Sequence, residues 1–268
     1  MNASRRKEIE RNAAEFRGSL GINSVGISNI FDVCNTKYLL IRYPLGKDGV
    51  LGAAMYKDGD YIVFSNSSQV LSREIFTVAH ELGHIRLGHV GIDKQLLQDI
   101  SENNTENEET EADYFAACFL MPKDKVDEFI DFQFQNHGDI EWTLLDVAAV
   151  MSAFNVSFET ALNRLETIGR IDKTQHNKLL SQKAEKKVSN LLRAIGVSPD
   201  LCFAREQKSI PVEFLQWTCA NYTKGLIPIE TLEKAVEYLD DVSVDDLGVT
   251  PPKQKDDFDL DAFLEEDE

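Results

Sequence analysis

Apolar spacing along the chain changes period several times, and each change marks an element. Between residues 4 and 20, Ile9, Ala13, Ala14, Phe16 and Leu20 recur among charges at helical spacing, which predicts one helix ending near Gly18 or Gly21. Short runs rich in β-branched and aromatic residues follow at 38–43, 50–56 and 61–65. Lys57-Asp58-Gly59-Asp60 joins the last two, and Asp-Gly is a strong hairpin signal, so a small, largely antiparallel sheet is expected. Ser72 then reads as the N-cap of a helix carrying Ile75, Val78, Ala79, Leu82 and Ile85 and stopped by Gly88.

Residues 91–107 turn acidic and polar and predict a mobile loop. Helices are predicted next at about 108–120, where Pro122 stops the chain, and at 123–132, 143–154 and 158–168. Beyond them the pattern gives helices at 181–195, 211–222 and 229–239, separated by Gly196-Val197-Ser198-Pro199 and Gly225-Leu226-Ile227-Pro228. The fold class is α+β. The domain reading is a first region at 1–175, a helical region at 176–240 and an acidic tail at 241–268, with Pro251-Pro252 and a run of acids, expected to be disordered.

Composition adds limits to this picture. With 43% apolar and 28% charged residues, most of the 268 positions can build a core. No apolar run approaches the roughly 18 residues that span a bilayer, and the N-terminus leads into charges, so a soluble, cytoplasmic protein is expected. Cys34, Cys118, Cys202 and Cys219 are scattered without a CxxC pair and are expected to be reduced, buried thiols. The formal net charge of −18 opposes nonspecific attraction to nucleic acid and to anionic membranes. Twelve acids and two lysines from Asp240 onward carry −10 of it.

The chemistry concentrates on the predicted helix after Ser72. His80 and His84 stand one turn apart on one helical face and can reach a single ion. Glu81 adjoins the first histidine, where a carboxylate can take a proton from a water activated by a metal. A metzincin would need glycine three and histidine six residues after His84, but Leu87 and Val90 occupy those positions. His89 falls five residues after His84, where an unbroken helix would turn it away, so it reads as a helix-end residue. Downstream, Glu109 and Asp113 lie four apart on one face. Glu109 can complete a His-His-Glu zinc site, with Asp113 behind it as an acceptor that orients a histidine.

Val78-Ala79-His80-Glu81-Leu82-Gly83-His84, the following Leu87-Gly88-His89, and Glu109-Thr110-Glu111-Ala112-Asp113-Tyr114-Phe115-Ala116-Ala117-Cys118-Phe119-Leu120-Met121-Pro122 resemble the ImmA/IrrE family of metallopeptidases. Two motifs in the right order are far more specific than either alone, and the resemblance covers about residues 1–170. It implies a zincin-like fold, a Zn²⁺ cofactor, Glu109 as third ligand and Glu81 as catalytic base. Glu111 stays the alternative ligand, although on a helix it points about 200° from Glu109. Tyr61, Tyr114, His137 and His176 are candidates for stabilising the oxyanion, with none assigned.

Residues 145–165 have helix-turn-helix spacing. The second helix sets Glu159 and Glu166 against Arg164 and, farther on, Arg170, so a structural pair that helps to hold a partner is expected and direct DNA binding is not. The tail interleaves Phe258, Leu260, Phe263 and Leu264 with acids, as a solubilising end or a docking motif for a basic partner. The resemblance further implies the task of a zinc-dependent endopeptidase that cleaves a helix-turn-helix repressor, often encoded nearby, and so relieves repression in a mobile element or stress response. The alternatives are a zinc-fold module that recognises a repressor or toxin without efficient cleavage, and a DNA-binding regulator acting through residues 143–168.

Overall fold

The first helix, α1 (Ala3–Ser19), is capped by Asn2, whose side chain accepts the Arg5 N–H, and it buries Ile9, Ala13 and Phe16 as their spacing predicts. This helix opens a computed structural model that describes residues 1–90, 102–134 and 141–252. Contacts divide the chain into two compact units, Met1–Gln207 and Lys208–Glu268. A short helix, α2 (Ile30–Asn35), follows under an Asn29 cap. Six residues are too few to show a helical period, so the apolar pattern does not announce this helix.

Strands β1 (Leu39–Tyr43), β2 (Gly52–Lys57) and β3 (Asp60–Asn66) form one sheet in the order β1-β3-β2. The β2–β3 hairpin is antiparallel, and Asp58 and Gly59 at its turn take positive φ, as the Asp-Gly signal requires. β1, however, runs parallel to β3, with Leu40 opposite Val63, so the expected antiparallel sheet is mixed. Apolar alternation records which face of a strand is buried and says nothing about its neighbour. Here residues 44–51 cross over the end of β3. Buried Asn66 holds that crossing: its Oδ1 accepts Leu45 N–H at 3.1 Å, and its Nδ2 donates to Gly46 O and Val50 O at 2.9 and 3.0 Å.

Helix α3 (Leu71–Arg86) starts after Val70, and Ser72 lies inside its first turn, buried, not at the predicted cap. Other groups satisfy the helix start. Leu71 N–H donates to Phe203 O at 2.8 Å, and Val70 bridges Ala204. Fully buried Glu74 takes both arms of Arg42 from β1, at 2.8 and 2.9 Å, with Ser65 Oγ at 3.2 Å.

Helix α4 (Glu102–Leu120) begins six residues before its predicted start, so residues 102–107, expected in a loop, are helical. An acidic, polar stretch serves equally well as the solvated first turns of a helix, where negative charge meets the positive end of the dipole. The rest of the predicted loop, 91–101, lies outside the described residues. α4 packs along α3, and Ala112, Phe115, Ala116 and Phe119 on the one and Val78, Ala79 and Leu82 on the other are buried. Two buried arginines receive its C-terminal end. Arg17 Nη1 donates to Phe119 O and Arg164 Nε to Met121 O, both at 2.9 Å.

After Pro122 come α5 (Lys123–Gln133), α6 (Leu144–Phe154) under a Thr143–Asp146 capping box, and α7 (Phe158–Thr167) under Ser157. α6 and α7 meet at 99°, the angle of a helix-turn-helix pair, but they form core: Val147, Ala148, Val150, Met151, Phe154, Phe158, Ala161, Leu162 and Leu165 are buried. Arg164, the one lysine or arginine on α7, is spent on Met121. The helix predicted at 181–195 is two, α8 (Lys173–Ala184) and α9 (Val188–Ala194). Glu185-Lys186-Lys187 between them offers nothing to bury, while Leu179 and Leu192 anchor either side. The second unit holds α10 (Val212–Thr223) and α11 (Ile229–Val236), which bury Thr218, Leu232, Ala235 and Val236, and a 3-10 turn at Asp245–Leu247. Of the tail expected to be disordered over 241–268, residues 241–252 are described and include this turn, and 253–268 lie outside the described residues. No single helix among the described residues is long and apolar enough to cross a membrane.

Candidate metal centre

Helix α3 buries one face and presents His80 and His84 at its edge, with side chains 15% and 12% exposed. The next helix, α4, brings Glu109 over them. His80 Nε2 and His84 Nε2 are 3.0 Å apart, and the two Glu109 oxygens stand 3.1 and 3.2 Å from them. The other nitrogens are already engaged, His80 Nδ1 with Asp113 Oδ1 at 2.8 Å and His84 Nδ1 with His89 Nδ1 at 3.1 Å. Both Nε2 atoms and the Glu109 carboxylate therefore face one point, an arrangement suited to holding a cation. Ligands about 2.0 to 2.1 Å from a tetrahedral zinc stand about 3.3 Å from one another, close to the separations found. The donor set fits Zn²⁺.

Burial and a neighbouring imidazole hold His84 below its ordinary pKa, which keeps the ring neutral and able to ligate. For His80, burial opposes the charged form but Asp113, Glu81 and Glu109 outweigh it, and its pKa is raised. Glu81 is buried beside the β2 end of the sheet and accepts the Ala54 backbone N–H. Burial, reinforced by Glu109 and opposed by His80 and Ala54, pushes its carboxyl up to about 7, the range suited to moving protons at neutral pH. A Cβ at Gly52 would come within 3.0 Å of Glu81 Oε1 and 2.4 Å of Thr77 Cγ2, so only glycine lets β2 approach this closely.

Glu111, the alternative ligand, lies away from the three donors. Arg5 grips it at 2.9 and 2.5 Å, and His89 Nε2 stands 3.3 Å from its Oε2. His89 departs from its expected course because α3 does not continue past Arg86. Gly88 takes φ 75°, Gly88 N–H donates to Ile85 O at 3.2 Å, and His89 N–H donates to His84 O at 2.8 Å. This is a Schellman ending, and it folds His89 back onto His84. The glycine after the helix is the sequence signal that foretells this turn. Arg5 has no such signal, since it lies on a different helix.

Of the oxyanion candidates, Tyr114 donates to Glu10 at 2.6 Å, His176 Nε2 pairs with Asn163 at 2.8 Å, and Tyr61 packs between Tyr38 and Tyr56. His137 lies outside the described residues.

A helix with two histidines one turn apart, a carboxylate from the adjoining helix and a buried glutamate at the sheet edge together define a zinc metallopeptidase, a hydrolase of the zincin type. Residues 39–166 match the peptidase M78 family, described as the IrrE N-terminal-like domain, and this domain match supports the ImmA/IrrE metallopeptidase resemblance that the two motifs carry. The match takes in both histidines, Glu81, Glu109 and the Met121-Pro122 end of α4. No curated protein matches the chain.

Proposed function

We propose that the chain is an endopeptidase in which His80, His84 and Glu109 hold the zinc, Asp113 orients His80, and Glu81 is the general base. The observation that carries this reading is the convergence of three donors within 4.8 Å of one another, with Glu81 directly beside them. Bound there, zinc supplies the Lewis acidity that polarises a peptide carbonyl and acidifies a water. Glu81 takes the proton from the attacking water as its oxygen bonds to the carbonyl carbon, then passes it to the leaving amine as the C–N bond breaks. Its desolvated carboxyl can accept and release that proton near neutrality. β2 lies at an edge of the sheet and touches Glu81 through Ala54, so an extended substrate segment added along that edge would present its backbone to the site.

The substrate class we propose is a repressor of the helix-turn-helix type, cleaved in the cytoplasm to relieve repression in a mobile element or stress response. Charge supports it: a DNA-reading protein is basic on its binding face, and a peptidase of net charge −18 attracts such a partner electrostatically. All four cysteines are free, which suits a reducing compartment. The test is incubation of the purified protein with the repressor encoded beside it, with and without a chelator, read by mass spectrometry. A single defined cut that chelator abolishes is the expected result. Glu81→Gln should keep its zinc and lose the cut; full cleavage by that variant would remove Glu81 from the base role. An intact repressor bound by fully zinc-loaded protein would favour the non-cleaving recognition module.

A further inference from the structure

We infer that His89 is a positioning residue for the metal site: it holds His84 in the tautomer that ligates, through a hydrogen-bond chain ending on Glu111 and Arg5. The inference deepens the reading of His84 as a zinc ligand and rests on it. For His84 to offer its Nε2 lone pair beside His80 and Glu109, the proton of the neutral ring must sit on Nδ1. That atom is 3.1 Å from His89 Nδ1, which must then accept. His89 consequently carries its own proton on Nε2, 3.3 Å from Glu111 Oε2. The Glu111 carboxylate accepts there and also from Arg5 Nε and Nη2, at 2.9 and 2.5 Å. A guanidinium has no acceptor, so the chain can run in one direction only, and every donor in it is assigned.

Two further observations separate this chain from an incidental cluster. The His89 side chain is only 6% exposed and that of Glu111 18%, so water competes poorly for their hydrogen bonds. The backbone of His89 is pinned to His84 itself, through its N–H on the His84 carbonyl, so ligand and orienting group move together. The partner histidine is served differently. His80 meets Asp113 directly at 2.8 Å, but the Asp113 side chain is 62% exposed. The buried His89 chain is thus the better shielded of the two supports.

Orienting groups of this kind typically contribute about 10- to 100-fold to metal affinity. The experiment measures Zn²⁺ affinity of the full chain by competition with a chromophoric chelator, alongside thermal unfolding of the metal-free protein. His89→Leu is expected to bind zinc about 10- to 100-fold more weakly while the metal-free melting temperature holds. His89→Gln, whose amide can accept from His84 and donate to Glu111, should recover part of the loss. Glu111→Gln should weaken binding in the same direction, and adding it to His89→Leu should weaken binding no further, because Glu111 acts through His89. NMR of the zinc-loaded wild type should show His84 as the Nδ1–H tautomer, a readout that stands even if a His89 variant fails to fold. Wild-type affinity in His89→Leu, additive losses in the double variant, or an Nε2–H tautomer at His84 would each overturn the inference while leaving the zinc site standing. A wild-type protein that binds no zinc would overturn both.

Discussion

Gly88 shows how much one residue can decide. Its φ of 75° costs glycine little, but a residue with a Cβ loses about 1 to 2 kcal/mol in the left-handed region. The space around it is open, so strain is the whole penalty. Gly88→Ala should therefore lower stability by about that amount in chemical denaturation, and a variant as stable as wild type would show that the turn relaxes at no cost. At this scale the sequence is informative wherever the chemistry is local. His80 with His84, and Glu109 with Asp113, stand out through helical spacing, and the packing of α4 on α3 brings the second pair onto the first. Arg5 and Glu111 are 106 positions apart and share no period, so their pairing waits on the packing of α1 against α4.

Among the elements, α3 is the one on which the site depends, and its first turn is held by a buried charge pair. Glu74 is 0% exposed and Arg42 4%, with Phe31 stacked on the guanidinium at 3.7 Å from the ring centroid. Removing one partner strands the other charge in the core. Arg42→Met should destabilise the protein by about 3 to 5 kcal/mol, and adding Glu74→Leu should recover much of the loss. Equal stability of wild type and Arg42→Met would mean that water reaches Glu74. Sequence periodicity located this helix and its stop but not its start. Ser72 is a good capping residue, yet the Leu71 N–H finds Phe203 O, a carbonyl more than 130 positions away, and such a competitor has no local signature. The strand order failed to show for the same reason. Hairpin chemistry is written in Asp58-Gly59, whereas the parallel partnership of β1 and β3 depends on where residues 44–51 travel.

At the scale of the whole molecule, the acidic surface and the inward-facing α6–α7 pair point the same way. The helix-turn-helix spacing of 145–165 is real as geometry, at 99°, but its apolar face closes the core and Arg164 is consumed in capping α4. Helix-turn-helix spacing and a core-forming helix pair share one apolar pattern, so periodicity alone does not separate the two.

The bridge from Val70 to Ala204 and the Leu71–Phe203 hydrogen bond carry a consequence for where this peptidase ends. The family match stops at residue 166, yet the root of the helix that bears both histidines is tied down by a segment almost forty residues farther on. The recognisable unit of ancestry is thus shorter than the unit that must fold. A chain cut after residue 175 should melt at a markedly lower temperature and bind Zn²⁺ more weakly than one ending at Gln207, as calorimetry and chelator competition would show. Equal behaviour of the two would make the added helices ornamental. Otherwise, residues outside the shared domain help to set how firmly the metal is held, a grip that changes without altering a single ligand.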